Sequence, residues 1–228
     1  MILDNLNMNS KKFFIWSPFT SKVGTIKNVI NSSYSLIKYS KPKLFNVNLI
    51  NVFGEWDSLT HENKLKDVKI ENLKSLSFIK SWNKEGYIKS RLSYILIFIF
   101  AFSPLVELIK KKKPDFLIIH LITSLPLIIF FFYNFKTKLI LNIAGHPKLN
   151  FFRKFIWKLS SKKIFKVVCP SMELKLFLLD NNVFDENKIE VIEDPHLIAS
   201  EIQKLKKAEF RDPFFDDNKI LISIGRLT

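Results

Sequence analysis

Apolar residues along the chain fall into short runs, and between these runs lie longer stretches with helical spacing. KKFFIWSP (11–18) predicts a buried strand closed by Pro18. After the loop FTSKVGT, the positions Ile26, Val29, Ile30, Tyr34 and Ile37 recur at helix spacing, with Thr25 as the expected N-cap. LFNVNLINVFG (44–54) predicts a second strand and VKIENLKSL (68–76) a weaker third. A long helix is expected over 86–112, its closing lysines suiting a helix C-terminus, and Pro114 stops it. DFLIIHL (115–121) hardly alternates, which is how a strand reads when a parallel sheet is covered on both faces. The rhythm then repeats as helix 124–135, strand 138–145, helix 150–163, strand 165–171, helix 172–182 and strand 188–194. Alternating strand and helix implies an α/β fold with a doubly wound, mostly parallel, Rossmann-like sheet.

A polar stretch, roughly 195–218, separates that sheet from KILISIGRLT, which reads as the first strand of a new unit. The expected organisation is therefore a Rossmann-like domain over 1–200, a linker over 201–218 and a strand over 219–228 that opens a second domain. In open α/β sheets ligands lie beyond the carboxyl ends of the strands. This draws attention to Ser21 to Thr25, His120, Gly145 to Lys148, Ser171, and Gly225 with Arg226.

Two stretches, 94–113 and 116–133, approach the length of a membrane-spanning helix, with a four-lysine run between them. One reading is a helical hairpin at 94–133 in a membrane-embedded or scaffold protein. The other is a buried helix followed by a buried strand and helix, and the polar residues and Pro126 favour it.

The composition narrows the choice of partner. With 47% hydrophobic and 14% aromatic residues, the 228-residue chain can bury a large core, which excludes intrinsic disorder. A formal charge of +15 favours anionic partners such as a phospholipid surface, a sugar nucleotide or nucleic acid. No nucleic-acid-binding motif accompanies the charge, so nucleic acid is not expected. Cys169 stands alone, which excludes an internal disulfide and fits a reducing, cytoplasmic setting. Four scattered histidines, with no HxxxH or CxxC pair, offer no metal-ligand spacing.

Taken in order, WSPFTSKVGTIKNVI, KKKPDFLIIHL, LILNIAGHPK, VVCPS and KIEVIEDPHL followed by ILISIGRLT resemble the N-terminal half of a GT-B glycosyltransferase of the retaining family 4. The resemblance implies an acceptor-binding domain, the start of a donor domain truncated at Thr228, and transfer from a nucleotide sugar to a glycan or lipid-linked acceptor. It implies no metal or other cofactor, a cell-envelope polysaccharide setting, and a location in the cytoplasm or at the inner face of its membrane. It also implies that this chain alone does not transfer sugar.

By the same resemblance His146, with His120, is the catalytic candidate, His146 bonding the donor sugar near its reacting end. Gly24, Gly225 and Arg226 are the donor-phosphate candidates, and Ser21, Lys22 and Thr25 the acceptor loop. The chain has Val23-Gly24 where the family shows two adjacent glycines, and Gly145-His146 where it shows His-Gly. Gly24 also reads as an ordinary turn glycine, and His120 as a core or rim residue. The mixed cationic and aromatic stretches KSWNKEGYIKSR, KKKK and FFRKFIWKLSSKK read either as solvated helix faces or as a peripheral surface for an anionic membrane, with Trp82 or Trp157 at the interface.

Overall fold

The computed structural model describes residues 10–21, 23–40, 44–73, 87–195 and 199–207. Two compact units divide the chain, Met1–His196 and Leu197–Thr228. In the first, β1 (Lys11–Trp16), β2 (Phe45–Asn51), β3 (Lys69–Asn72), β4 (Phe116–Ile119), β5 (Lys138–Asn142), β6 (Ile164–Cys169) and β7 (Ile189–Val191) form one sheet. Its order is β3-β2-β1-β4-β5-β6-β7, and every neighbouring pair is parallel. Parallel neighbours need crossovers, which the helices α1 (Gly24–Lys38), α2 (Tyr87–Lys112), α3 (Ser124–Phe132), α4 (Phe151–Ser160) and α5 (Met172–Asp180) supply, except between β2 and β3, where the chain runs through two 3-10 turns, Asp57–Leu59 and Asn63–Leu65.

The direction in which strands are added reverses between β1 and β4, so right-handed crossovers put successive helices on opposite faces there. The core divides accordingly. On one face Phe13, Ile15, Val47 and Leu49 pack with Val29 and Ile30 of α1 and with Trp56 and Leu65 from two short 3-10 turns. On the other, Phe14, Trp16, Leu117 and Ile119 meet Ile97, Leu105 and Ile109 of α2, Leu127 of α3, Trp157 of α4 and Leu174 of α5. Phe13 and Phe14 thus serve opposite layers, the period-two alternation of a strand whose two faces are both apolar. Asp115 fastens the central pair, accepting from the Lys12 amide through Oδ2 at 2.8 Å while its own amide donates to the Lys12 carbonyl at 3.0 Å.

Three expectations need correction. Thr25 does not cap α1; the helix starts two residues earlier, at Gly24, Val23 holds the N-cap position, and its side chain makes no capping hydrogen bond. The helical hairpin at 94–133 does not form. Its second arm is β4, at the centre of the sheet, followed by the nine-residue α3. Among the described residues one helix, Leu92–Lys112, with a mean hydropathy of 2.2, is long and apolar enough to cross a membrane. One side of it, Ile97, Ala101, Leu105 and Ile109, is fully buried in the core. Finally, Trp157 is not at an interface: it is 5% exposed and packs 5.6 Å from the Phe184 ring. Trp82 lies outside the described residues.

In the second unit the described element is α6 (Ala199–Lys207), so the linker expected over 201–218 begins inside a helix. ASEIQKLKK is free of Gly and Pro and rich in helix formers, which a reading from polarity alone overlooks. The strand expected over 219–228 lies outside the described residues.

Candidate functional site

The carboxyl ends of β1, β4 and β5 all deliver their loops to one edge of the sheet, where the strand order reverses. A cleft of about 490 Å³ opens there, and its wall includes Thr25, His120, Thr123, Asn142, His146 and Arg153. The structure therefore brings together Thr25, His120 and His146 from the sequence candidates, with Gly145 beside them. Ser21 is exposed on the loop between β1 and α1 and does not line the cleft. Gly24 is the first residue of α1, and a Cβ added there would meet nothing within 4 Å, so the backbone demands no glycine at that point. Ser171 serves the fold instead, since its hydroxyl accepts from the Leu174 amide at 3.2 Å and caps α5. Lys22, Gly225 and Arg226 lie outside the described residues.

His120 follows β4 directly and is 8% exposed. Burial pushes its imidazole down to about 4, so near neutral pH the ring carries no charge. The Asn142 side-chain amide donates to His120 Nδ1 at 3.0 Å, which puts the ring proton on Nε2. His120 Nε2 and Asn142 Oδ1 are both buried without a hydrogen-bond partner. Buried polar atoms left without a partner are uncommon in a protein interior. His146 differs: its side chain is half exposed, its Nε2 lies 3.7 Å from Glu173 Oε1, and its ring meets Phe177 edge-on at 5.3 Å.

The turn after β4 carries strain. Ile122 has a φ of 48°, a left-handed conformation that a β-branched residue seldom adopts. Trp16, fully buried in β1, donates from Nε1 to the Ile122 carbonyl at 3.3 Å and holds the turn in place.

The helix starts around the cleft fall into two classes. Asn150 caps α4 by accepting from the Arg153 amide at 2.9 Å, and Ser171 caps α5. The helices flanking the reversal point, α1 and α3, begin on Val23 and Thr123 with no side-chain cap and no acidic residue in the first turn. In α1 the Ile26 amide is taken by the Val23 carbonyl at 3.1 Å, and in α3 Pro126 has no amide hydrogen, so it is the amides of Gly24, Thr25, Ser124 and Leu125 that stand at the positive end of a helix dipole, an arrangement suited to an anion.

Reading from sequence missed Asn142 and Arg153. Asn142 is the last residue of an apolar strand, and its position at the carboxyl edge was the available signal. Arg153 sits in the first turn of α4, where its side chain donates to the Lys148 carbonyl at 2.9 Å; it was hidden in a basic, aromatic run read as surface. Among the described residues no three His, Cys, Asp or Glu side chains gather to hold a metal ion.

No protein-family model and no curated protein matches the chain. Solved structures do. A glycosyltransferase from Rickettsia africae ESF-5 is 19% identical with a TM-score of 0.52, over 86% of this chain and 48% of its own. UDP-GlcNAc 2-epimerase from Neisseria meningitidis bound to UDP-GlcNAc is 15% identical with a TM-score of 0.56, over 91% of this chain and 54% of its own. UDP-N-acetylglucosamine 2-epimerase from Rickettsia bellii is 12% identical with a TM-score of 0.54, over 88% of this chain and 49% of its own. The chain spans about half the length of these structures. At such identities the likeness establishes the fold, a GT-B-like, Rossmann-type α/β domain.

Proposed function

We propose that this chain is the acceptor side of a nucleotide-sugar-dependent glycosyltransferase, similar to retaining family 4, which acts on a glycan or lipid-linked acceptor. The observation that carries the reading is the pair of uncapped helix starts, α1 and α3, that converge on the cleft where the strand order reverses. In a two-domain transferase the diphosphate of the donor would face those amides, where growing negative charge is stabilised as the sugar leaves. Retention means that the bond from the anomeric carbon to the diphosphate oxygen breaks and the bond to the acceptor oxygen forms on the same face, with the acceptor proton passing to the departing diphosphate. His146 would bond the sugar and Glu173 would orient the ring. His120, uncharged, would present a hydrogen-bond donor rather than a cation. Gly24, Gly225 and Arg226 remain proposed contacts to the donor phosphates, Ser21, Lys22 and Thr25 the proposed acceptor loop. No cofactor is part of this reading, and the setting is the cytoplasm or the inner face of its membrane.

Saturation-transfer NMR on the purified chain, with nucleotide sugars and soluble glycans as probes, tests the assignment. Saturation of the glycan protons and of the nucleotide-sugar protons is expected, and His146→Ala should weaken it. If neither probe binds, the reading fails. Turnover by the 228-residue chain with any nucleotide sugar would contradict the division of labour between two domains. The likeness to 2-epimerases favours a second reading, a nucleotide-sugar 2-epimerase domain. Product analysis of a protein carrying both halves separates the two: a new glycosidic bond supports the transferase, an inverted sugar carbon without acceptor the epimerase.

A further inference from the structure

Helix α4 is apolar on two opposite sides. Ile156 and Trp157 face inward and are nearly buried. Phe151, Phe155 and Leu159, one turn apart on the other side, are 87%, 54% and 42% exposed. Phe131, at the end of α3, is 40% exposed and joins them along a shallow groove of about 710 Å³. Phe151 and Phe155 stack with nearly parallel rings, 6.4 Å between centroids. Lys154, Lys158 and Lys162 line the same groove. Residues 151–163 contain five cationic side chains and no acidic one, and α3 has no charged residue at all. None of the three groove lysines pairs with a carboxylate among the described residues.

We propose that the outer face of α4, with Phe131 beside it, is a docking surface for an anionic phospholipid bilayer. Aromatic side chains standing in water lower their free energy by entering the headgroup and acyl boundary, and lysines beside them meet lipid phosphates. Charge complementarity selects this occupant. A second copy docked symmetrically through the same face would bring the lysines of one protomer against those of the other, which like-charge repulsion disfavours. A neutral apolar partner would leave the lysines without use. The surface differs from the one expected from sequence, since Trp157 is core and the phenylalanines carry the contact.

Helix α4 also serves the cleft, because Phe152 and Arg153 line it. A helix lying in the interface would hold the mouth of the cleft near the headgroups, within reach of a lipid-borne acceptor. That consequence rests on the proposed function; the membrane binding does not.

Flotation of the purified chain with phosphatidylcholine vesicles, with and without phosphatidylglycerol, tests the proposal. The protein should float with the phosphatidylglycerol vesicles, stay behind with phosphatidylcholine alone, and bind more weakly in high salt. Phe151→Ser, Phe155→Ser and Leu159→Ser together should weaken binding about tenfold or more. Each of Lys154→Gln, Lys158→Gln and Lys162→Gln should cost about fivefold at low salt. Phe155→Trp keeps the face apolar and adds a reporter, whose emission should shift to the blue on adding anionic vesicles. A wild-type chain that does not float, variants that float as well as wild type, or an unshifted reporter would overturn the proposal. So would a wild-type dimer that the serine substitutions convert to monomer, because the face would then be covered by a second copy.

Discussion

His120 is a residue whose environment dictates its chemistry. Its folded value of about 4 lies below the ordinary 6.5, so between those values the unfolded chain binds a proton that the folded chain refuses. Stability from this group is complete above about pH 6.5 and is lost as the pH falls toward 4, a contribution on the order of 3 kcal/mol. Urea unfolding across that window should show a slope that His120→Asn flattens; an unchanged slope would mean that other groups cause it. Trp16→Phe would leave the Ile122 carbonyl without its donor, with an expected loss of about 1–3 kcal/mol in the same assay. At this scale the sequence was partly legible. That His120, His146 and Thr25 share one edge could be read, because each lies in a segment that follows a strand. Whether an imidazole is buried depends on what packs over it, so the contrast between the two histidines could not be read. The roles of Trp157 and its neighbours were reversed for a related reason. In a helix apolar on both sides, periodicity cannot say which side faces the sheet.

Among the elements, the helix starts lead to the sharpest expectations. Asn150→Ala removes the cap of α4 and should lower stability by about 1 kcal/mol, measured by thermal or urea unfolding. Val23→Asp should do the opposite, adding a cap and a favourable charge to α1 for a gain of about 0.5–1 kcal/mol. The same carboxylate would occupy the site proposed for the donor diphosphate, so binding of a nucleotide diphosphate should weaken about tenfold. A variant both more stable and equally good at binding would separate α1 from any anion site. The identity of the elements was plain from the alternation of apolar runs, but their lengths were not. Strands expected over 44–54 and 138–145 end at Asn51 and Asn142. The turns beyond them bury Val52, Phe53 and Ile143, so the apolar run continues after the ladder has stopped.

For the molecule as a whole, the doubly wound sheet followed from the sequence pattern, whereas the strand order did not. That order is set by long-range pairing, which the local pattern does not encode. The membrane question divides in the same way. Composition made 94–133 ambiguous, and pairing resolves it, because β4 takes hydrogen bonds from both β1 and β5 and cannot also be part of a spanning hairpin. The expected outcome is that alkaline carbonate releases the protein from membranes into the supernatant. A pellet that survives the wash would mean that Leu92–Lys112 leaves the core and inserts.

The position of β1 has a consequence in time. Of the seven described strands it comes earliest in the chain, it lies inside the sheet between β2 and β4, and the bond from the Lys12 amide to Asp115 joins residues 103 apart. At about 5–20 residues per second, a ribosome delivers β4 roughly 5–20 s after β1. During that interval the nascent chain carries Phe13 to Trp16 with one long edge unpaired, while the strands from β4 onward pair as soon as each emerges. The same arrangement that builds the cleft therefore makes β1 the vulnerable strand of this sheet during synthesis, and chaperone contacts on the growing chain should concentrate there.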